Sequence, residues 1–141
     1  MPVYPCVLIP GDGIGPEVSD AVLKVLDAAK APVHFETHHA GLAAIEHGLN
    51  DTLPDTTTEA IRRCHVALKG PCSTPIGKGF SSVNVALRRK LNLYAAVRPV
   101  RNLPGVKTRF EGVDLVVVRE NTEGLYSGIE NLITDGVVVS T

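Results

Sequence analysis

Apolar and polar positions alternate along this chain in short blocks that predict strands and helices in turn. Val3 to Pro10 is almost wholly apolar, which predicts a strand covered on both faces. The next block, from Val18 to Ala29, repeats its apolar residues every three or four positions, as the buried face of a helix does. The turn between them reads Gly-Asp-Gly-Ile-Gly-Pro-Glu and places Pro16 in the first helical turn.

The rest of the chain continues this alternation. We predict further strands over 33–38, 65–69, 94–101, 114–119 and from 137 onward, and further helices over 41–47, 56–63 and 82–91. A capping box of Thr56 and Glu59 predicts the start of the third helix. Strands alternating with helices indicate an α/β fold, a layered and mostly parallel sheet with flanking helices. Because the last strand is followed by no turn or tail, we expect the chain to be part of a larger fold.

Composition excludes several classes of protein. Apolar residues make up 44% of the chain, and the net charge of -1 gives no general attraction to nucleic acid or to an anionic membrane. No apolar run approaches the ~20 residues of a spanning helix, so we expect neither partner. The three cysteines, Cys6, Cys64 and Cys72, match no metal-ligand spacing. We expect reduced thiols in a cytoplasmic protein.

Three patterns that resemble nucleotide or metal sites have simpler explanations. The glycine turn lacks the G-x-G-x-x-G spacing of a dinucleotide site, so its glycines are explained by a tight turn. Asp51 and Asp55 have the spacing of one helix face, but a proline lies between them and predicts a solvated loop. The histidines of the second strand region lack a carboxylate or thiolate partner; they are His34, His38 and His39. We therefore expect no metal site within this chain.

Polar residues between positions 69 and 98 predict a site for a small polyanion. A loop rich in glycine and hydroxyl groups leads into a helix on which Asn84 and Arg88 lie one turn apart, beside an apolar row. Ser82 is placed to cap this helix, whose first N–H groups can bind an anion. For this helix alone, the alternative is that its charged residues form only a solvated face. The arginines elsewhere in the chain bear on this choice.

Two arginines further along strengthen the polyanion hypothesis. Arg98 is held extended by the proline that follows it. Arg119 ends an apolar strand, and ligands of open α/β sheets bind at such ends. Three arginines match a ligand with several carboxylates. Tyr126 follows closely and is a candidate acid, the alternative being a partly buried ring with a satisfied hydroxyl.

Three motifs in this order resemble the isocitrate/isopropylmalate dehydrogenase family of β-decarboxylating dehydrogenases. They are GDGIGPE after the first strand, LKGPCSTPIGKGFSSVNVALRRKLNLYAAVRPVR, and DLVVVRENTEGLYSGIE. The resemblance covers essentially the whole chain and implies the N-terminal part of the family's two-domain fold. Residues 1–93 would belong to the large domain, and residues 94–141 would begin the small domain.

The resemblance also implies roles for individual residues. The family's substrate-binding positions match Ser82, Asn84, Arg88, Arg98 and Arg119. Its cofactor-binding positions match Ile14, Ser73 and Thr74, and its protonating tyrosine matches Tyr126. The S-x-N-x-x-x-R pattern on the helix looks like the isocitrate type, because isopropylmalate enzymes usually carry apolar residues there.

These matches imply oxidative decarboxylation of isocitrate to 2-oxoglutarate with NAD or NADP and Mg²⁺ or Mn²⁺. The family's metal-binding aspartates, general-base lysine and main adenosine segment lie in a C-terminal part that this chain does not match. We therefore expect the chain to be inactive alone, and the full-length protein to form a homodimer or larger homo-oligomer. The alternatives are an isopropylmalate or other 2-hydroxy-diacid dehydrogenase, or a non-catalytic polycarboxylate-binding or regulatory subunit. Tyr126 and the three arginines weigh against the last.

Overall fold

The order of helices and strands follows the predicted alternation along most of the chain. A computed structural model describes residues 2–73, 82–123, 127 and 129–140. Its elements are β1 (Tyr4–Ile9), α1 (Gly15–Ala28), β2 (Val33–Thr37), α2 (Leu42–Glu46), α3 (Asp55–Cys64), β3 (Ala67–Lys69), α4 (Val83–Lys90), β4 (Ala95–Arg101), β5 (Asp114–Glu120), β6 (Glu130–Thr134) and β7 (Val137–Ser140). They form two compact units, Met1–Leu91 and Asn92–Thr141, which are described separately.

A three-stranded parallel sheet forms the centre of the first unit. Its order is β2-β1-β3, with Tyr4 opposite Val33 and Val7 opposite Ala67. Residues Cys6 to Ile9 of the middle strand are buried, as the unbroken apolar run predicts. Parallel pairing is confirmed for these strands, and it brings the carboxyl ends of β1 and β3 together.

The hydrophobic core of this unit lies where α3 and α4 meet β1. Burial of apolar side chains from all three elements stabilises it, at roughly 1.5–3 kcal/mol for each large side chain. Its buried members are Val7, Ile9, Ala40, Leu53, Ala60, Cys64, Val83 and Leu87. Burial raises the pKa of the Cys6 thiol, in keeping with cysteines that fill space rather than react.

The start of α3 differs from the prediction. The helix begins at Asp55 after Pro54, and no side chain forms a capping hydrogen bond, so the predicted capping box of Thr56 and Glu59 is wrong. The hydroxyl of the buried Thr57 instead donates to the carbonyl of His39 at 3.0 Å. A threonine near a helix start thus joins the helix to the β2–α2 connection.

Helix α1 buries only part of the predicted face, because Val22 and Leu26 are half-buried whereas other residues of its apolar stripe are exposed. Within the described residues, Gly15 and Ser19 are its buried positions, whereas the side chains of Val18 and Val25 are 45% and 67% exposed. The hydroxyl of Ser19 donates to the carbonyl of Pro10 at 3.2 Å. Gly15 and Ser19 are small, and they let the start of α1 approach the end of β1.

The second unit contains antiparallel pairs, so the prediction of mostly parallel strands is wrong there. Strand β4 pairs with β5, and β6 pairs with β7. Parallel neighbours need a long crossover, usually a helix, and no helix is described between these strands. Strand β6 was not predicted, although Asp135-Gly136 is a strong hairpin signal and Gly136 has a φ of 82°.

The first unit ends at Leu91, close to the predicted boundary after Leu93. That the two units are the large and small domains of a longer fold stays a prediction. None of the helices within the described ranges is both long and apolar enough to cross a membrane.

Candidate functional site

The turn after β1 packs directly against the segment that follows β3. The amide of Gly70 donates to the carbonyl of Ile9 at 2.8 Å, and the amide of Asp12 donates to the carbonyl of Pro71 at 3.0 Å. Gly11 has a φ of 83°, and a β-carbon there would lie 1.8 Å from the Pro71 oxygen. Glycine is needed at position 11 because the two backbones approach so closely. The tight turn that the sequence predicts is therefore only part of the reason for this glycine.

The carboxylate of Asp12 links this turn to two other segments. Its Oδ1 accepts a hydrogen bond from the amide of Ser73 at 2.7 Å, and its Oδ2 accepts one from the amide of Leu42 at 2.9 Å. Burial alone would raise the pKa of the carboxyl. Hydrogen bonds from the hydroxyl and amide of Ser73 and the amides of Leu42 and Ala43 outweigh burial and lower the pKa of Asp12.

Two predicted cofactor-binding residues lie near Asp12, one through a hydrogen bond and one two positions further along the chain. Ile14 immediately precedes α1 and its side chain is 67% exposed. Ser73 is exposed and held by the Asp12 carboxylate. A cleft of about 490 Å³ is lined by Asp12, Ser73 and neighbouring residues of the turn and α2. Thr74, the third predicted cofactor residue, lies outside the described residues.

Helix α4 and its N-cap together carry three of the predicted substrate-binding residues. Val83 and Leu87 are buried, while Asn84 is exposed and Arg88 is half-buried. The helix therefore packs one side and presents the edge with Asn84 and Arg88, as its apolar row predicts. Ser82 occupies the N-cap position, but its side chain makes no capping hydrogen bond.

The end of α4 is fixed to its neighbours by Lys90. The ammonium of Lys90 lies 3.0 Å from Oδ1 of Asp55 and 3.2 Å from the carbonyl of Leu53. The guanidinium of Arg62 in α3 donates to the carbonyl of Lys90 at 2.6 Å. Asp51 also lies 3.9 Å from the ammonium, so both members of the acidic pair Asp51 and Asp55 lie beside a lysine at the end of the helix that carries Arg88.

Arg98 and Arg119 lie on one face of the β4–β5 pair. Arg119 is opposite Ala96, and Arg98 is opposite Val117. The two arginines are therefore diagonal neighbours, a spacing within reach of long side chains. Arg119 was predicted from its place at the end of an apolar strand of an open α/β sheet, whereas the structure brings it beside Arg98 through the register of an antiparallel pair. Tyr126 lies outside the described residues.

The residue after β5 was not predicted to have a role. Asn121 is 8% exposed, and its Oδ1 accepts no hydrogen bond from any residue that the structure describes. Buried amide oxygens without a donor are uncommon. Asn121 is therefore a further candidate residue, and its position two residues after Arg119 is the signal that was missed.

Comparison with known proteins decides the family. The profile described as isocitrate/isopropylmalate dehydrogenase matches residues 6–141. This chain belongs to that family.

The family's relatives differ in the acid that their names specify. The chain is 51% identical over 133 residues to the mitochondrial isocitrate dehydrogenase [NAD] catalytic subunit 5 of Arabidopsis thaliana, covering 94% of this chain and 35% of the relative. It is 49% identical over 133 residues to the chloroplastic 3-isopropylmalate dehydrogenase of Solanum tuberosum, covering 94% and 37%. The crystal structure of isocitrate dehydrogenase from Methylococcus capsulatus matches with a TM-score of 0.78 and 49% identity, covering 99% of this chain and 42% of that one.

These matches confirm the α/β fold class. They also show how much of the relatives' length this chain covers. The chain spans between about a third and two fifths of the length of these relatives. The names of the isocitrate dehydrogenases among its relatives specify NAD in some cases and NADP in others. Membership in a family of decarboxylating dehydrogenases is therefore established, whereas the acid and the cofactor are not distinguished.

The histidines of the first unit interact with one another and with a carboxylate. The ring of His38 lies 2.8 Å from Oε1 of Glu36, and the rings of His39 and His47 stack with centroids 3.7 Å apart. Burial and the neighbouring His47 lower the pKa of His39. Across the described ranges, no three His, Cys, Asp or Glu side chains are grouped to hold a metal ion, so these residues do not by themselves form a site for the divalent ion that the resemblance implies.

Proposed function

We propose that this chain is the N-terminal part of an isocitrate dehydrogenase that oxidises and decarboxylates its substrate. The observation that carries the proposal is the edge of α4. Asn84 and the half-buried Arg88 lie one turn apart there, beside a side that is packed into the core. This edge offers polar donors where an isopropylmalate enzyme would need an apolar surface for an alkyl group.

Arg88 is the residue that favours a third carboxylate. A guanidinium presents its donors in a planar fork that matches a carboxylate, and partial burial strengthens such a charge-assisted pair. An alkyl group in the same place would leave the fork without an acceptor, at a cost of about 1–3 kcal/mol. Ser82 and Asn84 would add a hydroxyl and an amide to the contacts with the substrate.

Arg98 and Arg119 are also proposed to bind the substrate, the role that the family resemblance implies for them. Two arginines on one face of β4 and β5 suit the other carboxylates of isocitrate. These charges persist throughout the reaction, so their role is to bind and orient the acid. Tyr126 is proposed to deliver the proton that follows the loss of CO₂.

The cleft beside Asp12 suits a nicotinamide cofactor. Its volume of about 490 Å³ lies within the usual range for small-molecule sites, and it is bordered by the exposed Ser73 close to Ile14. The cofactor, NAD or NADP, would accept the hydride from the hydroxyl-bearing carbon. Ile14, Ser73 and Thr74 would orient the ring. Mg²⁺ or Mn²⁺ would be held by residues outside this chain, and the cytoplasmic location and homo-oligomeric state stay predictions.

Turnover separates an enzyme from a non-catalytic binding subunit. The full-length protein that carries this chain is expected to reduce NAD or NADP when isocitrate and Mg²⁺ are supplied, and the 141-residue chain alone is expected to produce no measurable NADH or NADPH. Absorbance at the reduced nicotinamide band measures both. Tight isocitrate binding without turnover by the full-length protein would instead support the regulatory alternative. Turnover by the 141-residue chain alone would contradict the proposal that the active site also needs residues outside this chain.

A further inference from the structure

We propose that Asp12 is a positioning residue for the cofactor half of the site, because its carboxylate fixes the backbone of Ser73 against the turn that precedes Ile14. The expected effect of Asp12 on enzyme kinetics rests on the proposed function. The expected effect on the position of Ser73 rests only on the hydrogen bonds of the Asp12 carboxylate.

Both oxygens of Asp12 are used by backbone amides that are distant in sequence. Ser73 lies 61 positions away and Leu42 lies 30 positions away. Leu42 is the first residue of α2, a helix whose N-cap is a glycine without a side chain to cap it. Asp12 therefore supplies from another segment the acceptor that this helix start lacks.

The chemistry of the contacts requires a carboxylate. Both partners are N–H donors, and an ionised carboxyl is acceptor-only at each oxygen. An amide of the same shape would turn an NH₂ group toward one of the two donors. Among the ion pairs of the described residues, none involves Asp12, so the charge is stabilised by backbone amides and the Ser73 hydroxyl.

The segment 71–73 is held in two directions by the same residue. The Asp12 amide donates to Pro71, and the Asp12 carboxylate accepts from Ser73. Two hydrogen bonds two residues apart restrict both the position and the direction of the chain as it leaves β3. Small misplacements of an orienting group reduce reaction rates strongly. By restricting the segment 71–73, Asp12 can therefore affect catalysis without touching the cofactor.

The first test uses the unmodified residue Asp12 and one control variant. In the 141-residue chain, the amide proton shifts of Ser73 and Leu42 are expected to titrate together, with one midpoint below the ordinary aspartate value of about 3.9. Glu46 is the other carboxylate among the described residues that line the cleft, and Glu46→Gln is expected to leave both titrations in place. Separate midpoints, or no titration of either amide, would overturn the proposal irrespective of any enzymatic activity.

The second test uses Asp12→Asn in the full-length protein, with Asp20→Asn on the exposed side of α1 as the matched control. We expect the KM for the nicotinamide cofactor to rise or kcat to fall at least tenfold, while the KM for the acid changes less than twofold. The control is expected to match the wild type. A purely structural role would lower the yield of folded protein and leave the constants of the folded fraction unchanged, and that result would refute the positioning role. An inactive wild-type protein would refute the proposed function, with the amide titration still deciding the role of Asp12.

Discussion

Replacing Gly11 by alanine is expected to destabilise the first unit by at least ~4 kcal/mol, an exceptional effect for a single methyl group. The added β-carbon would lie 1.8 Å from the carbonyl oxygen of Pro71 and 2.8 Å from its carbon. Both are backbone atoms, so no side chain can rotate to relieve the overlap. The turn and the segment after β3 would have to separate, which would break the hydrogen bond from Asp12 to Pro71.

Gly13→Ala is the matched control for Gly11→Ala. Gly13 lies in the same turn with a φ of 59°, but a β-carbon there would meet no atom of the described residues within 4 Å. Its replacement is expected to cost only the ~1–2 kcal/mol of a left-handed backbone. Urea unfolding followed by circular dichroism measures both variants. Equal losses would show that strain at positive φ, and not contact with Pro71, makes glycine necessary at position 11.

Replacing Arg88 by leucine is expected to lower kcat/KM for isocitrate roughly 10- to 100-fold in the full-length protein, the range of a charged hydrogen bond worth ~1.5–3 kcal/mol. The change removes the proposed partner of the third carboxylate and offers an alkyl surface in its place. The kcat/KM for isopropylmalate is expected to stay unchanged or to rise. Steady-state kinetics with both acids measures the change as the ratio of kcat/KM for isocitrate to kcat/KM for isopropylmalate.

Arg89→Leu controls for the loss of one positive charge from α4. Arg89 is adjacent in sequence and lies on the exposed side of the helix, so it is expected to leave the ratio between the two acids within twofold of the wild type. If Arg89→Leu lowered the isocitrate value as much as Arg88→Leu, general attraction of anions by the helix would explain the effect, and specific recognition by Arg88 would be ruled out.

The local elements could be predicted from the sequence because they depend on periodicity and turn residues. Helix α4 is one example, since the spacing of Val83 and Leu87 indicates which side packs. The face of α1 could not be predicted in the same way. Val18 and Val25 of its apolar stripe are exposed in this unit, whereas Ser19, which lies outside the stripe, is buried and donates to the carbonyl of Pro10.

The site could be predicted only as a set of residue types. Three arginines indicate a polyanion, but the register that makes Arg98 and Arg119 diagonal neighbours depends on antiparallel pairing, which the sequence analysis did not predict there. The role of Asp12 depends on contacts with residues 30 and 61 positions away. No local pattern encodes such contacts, because they are formed only when the ends of β1 and β3 and the start of α2 meet.

The central claim is that α4 selects isocitrate, and the ratio of kcat/KM for isocitrate to that for 3-isopropylmalate tests it most directly. The measurement uses the full-length wild-type protein with Mg²⁺ and with NAD and NADP in turn. We predict a ratio of at least about 100, corresponding to the charged hydrogen bonds that only isocitrate forms with Arg88. A ratio below one with both cofactors would contradict the assignment and identify the protein as an isopropylmalate dehydrogenase.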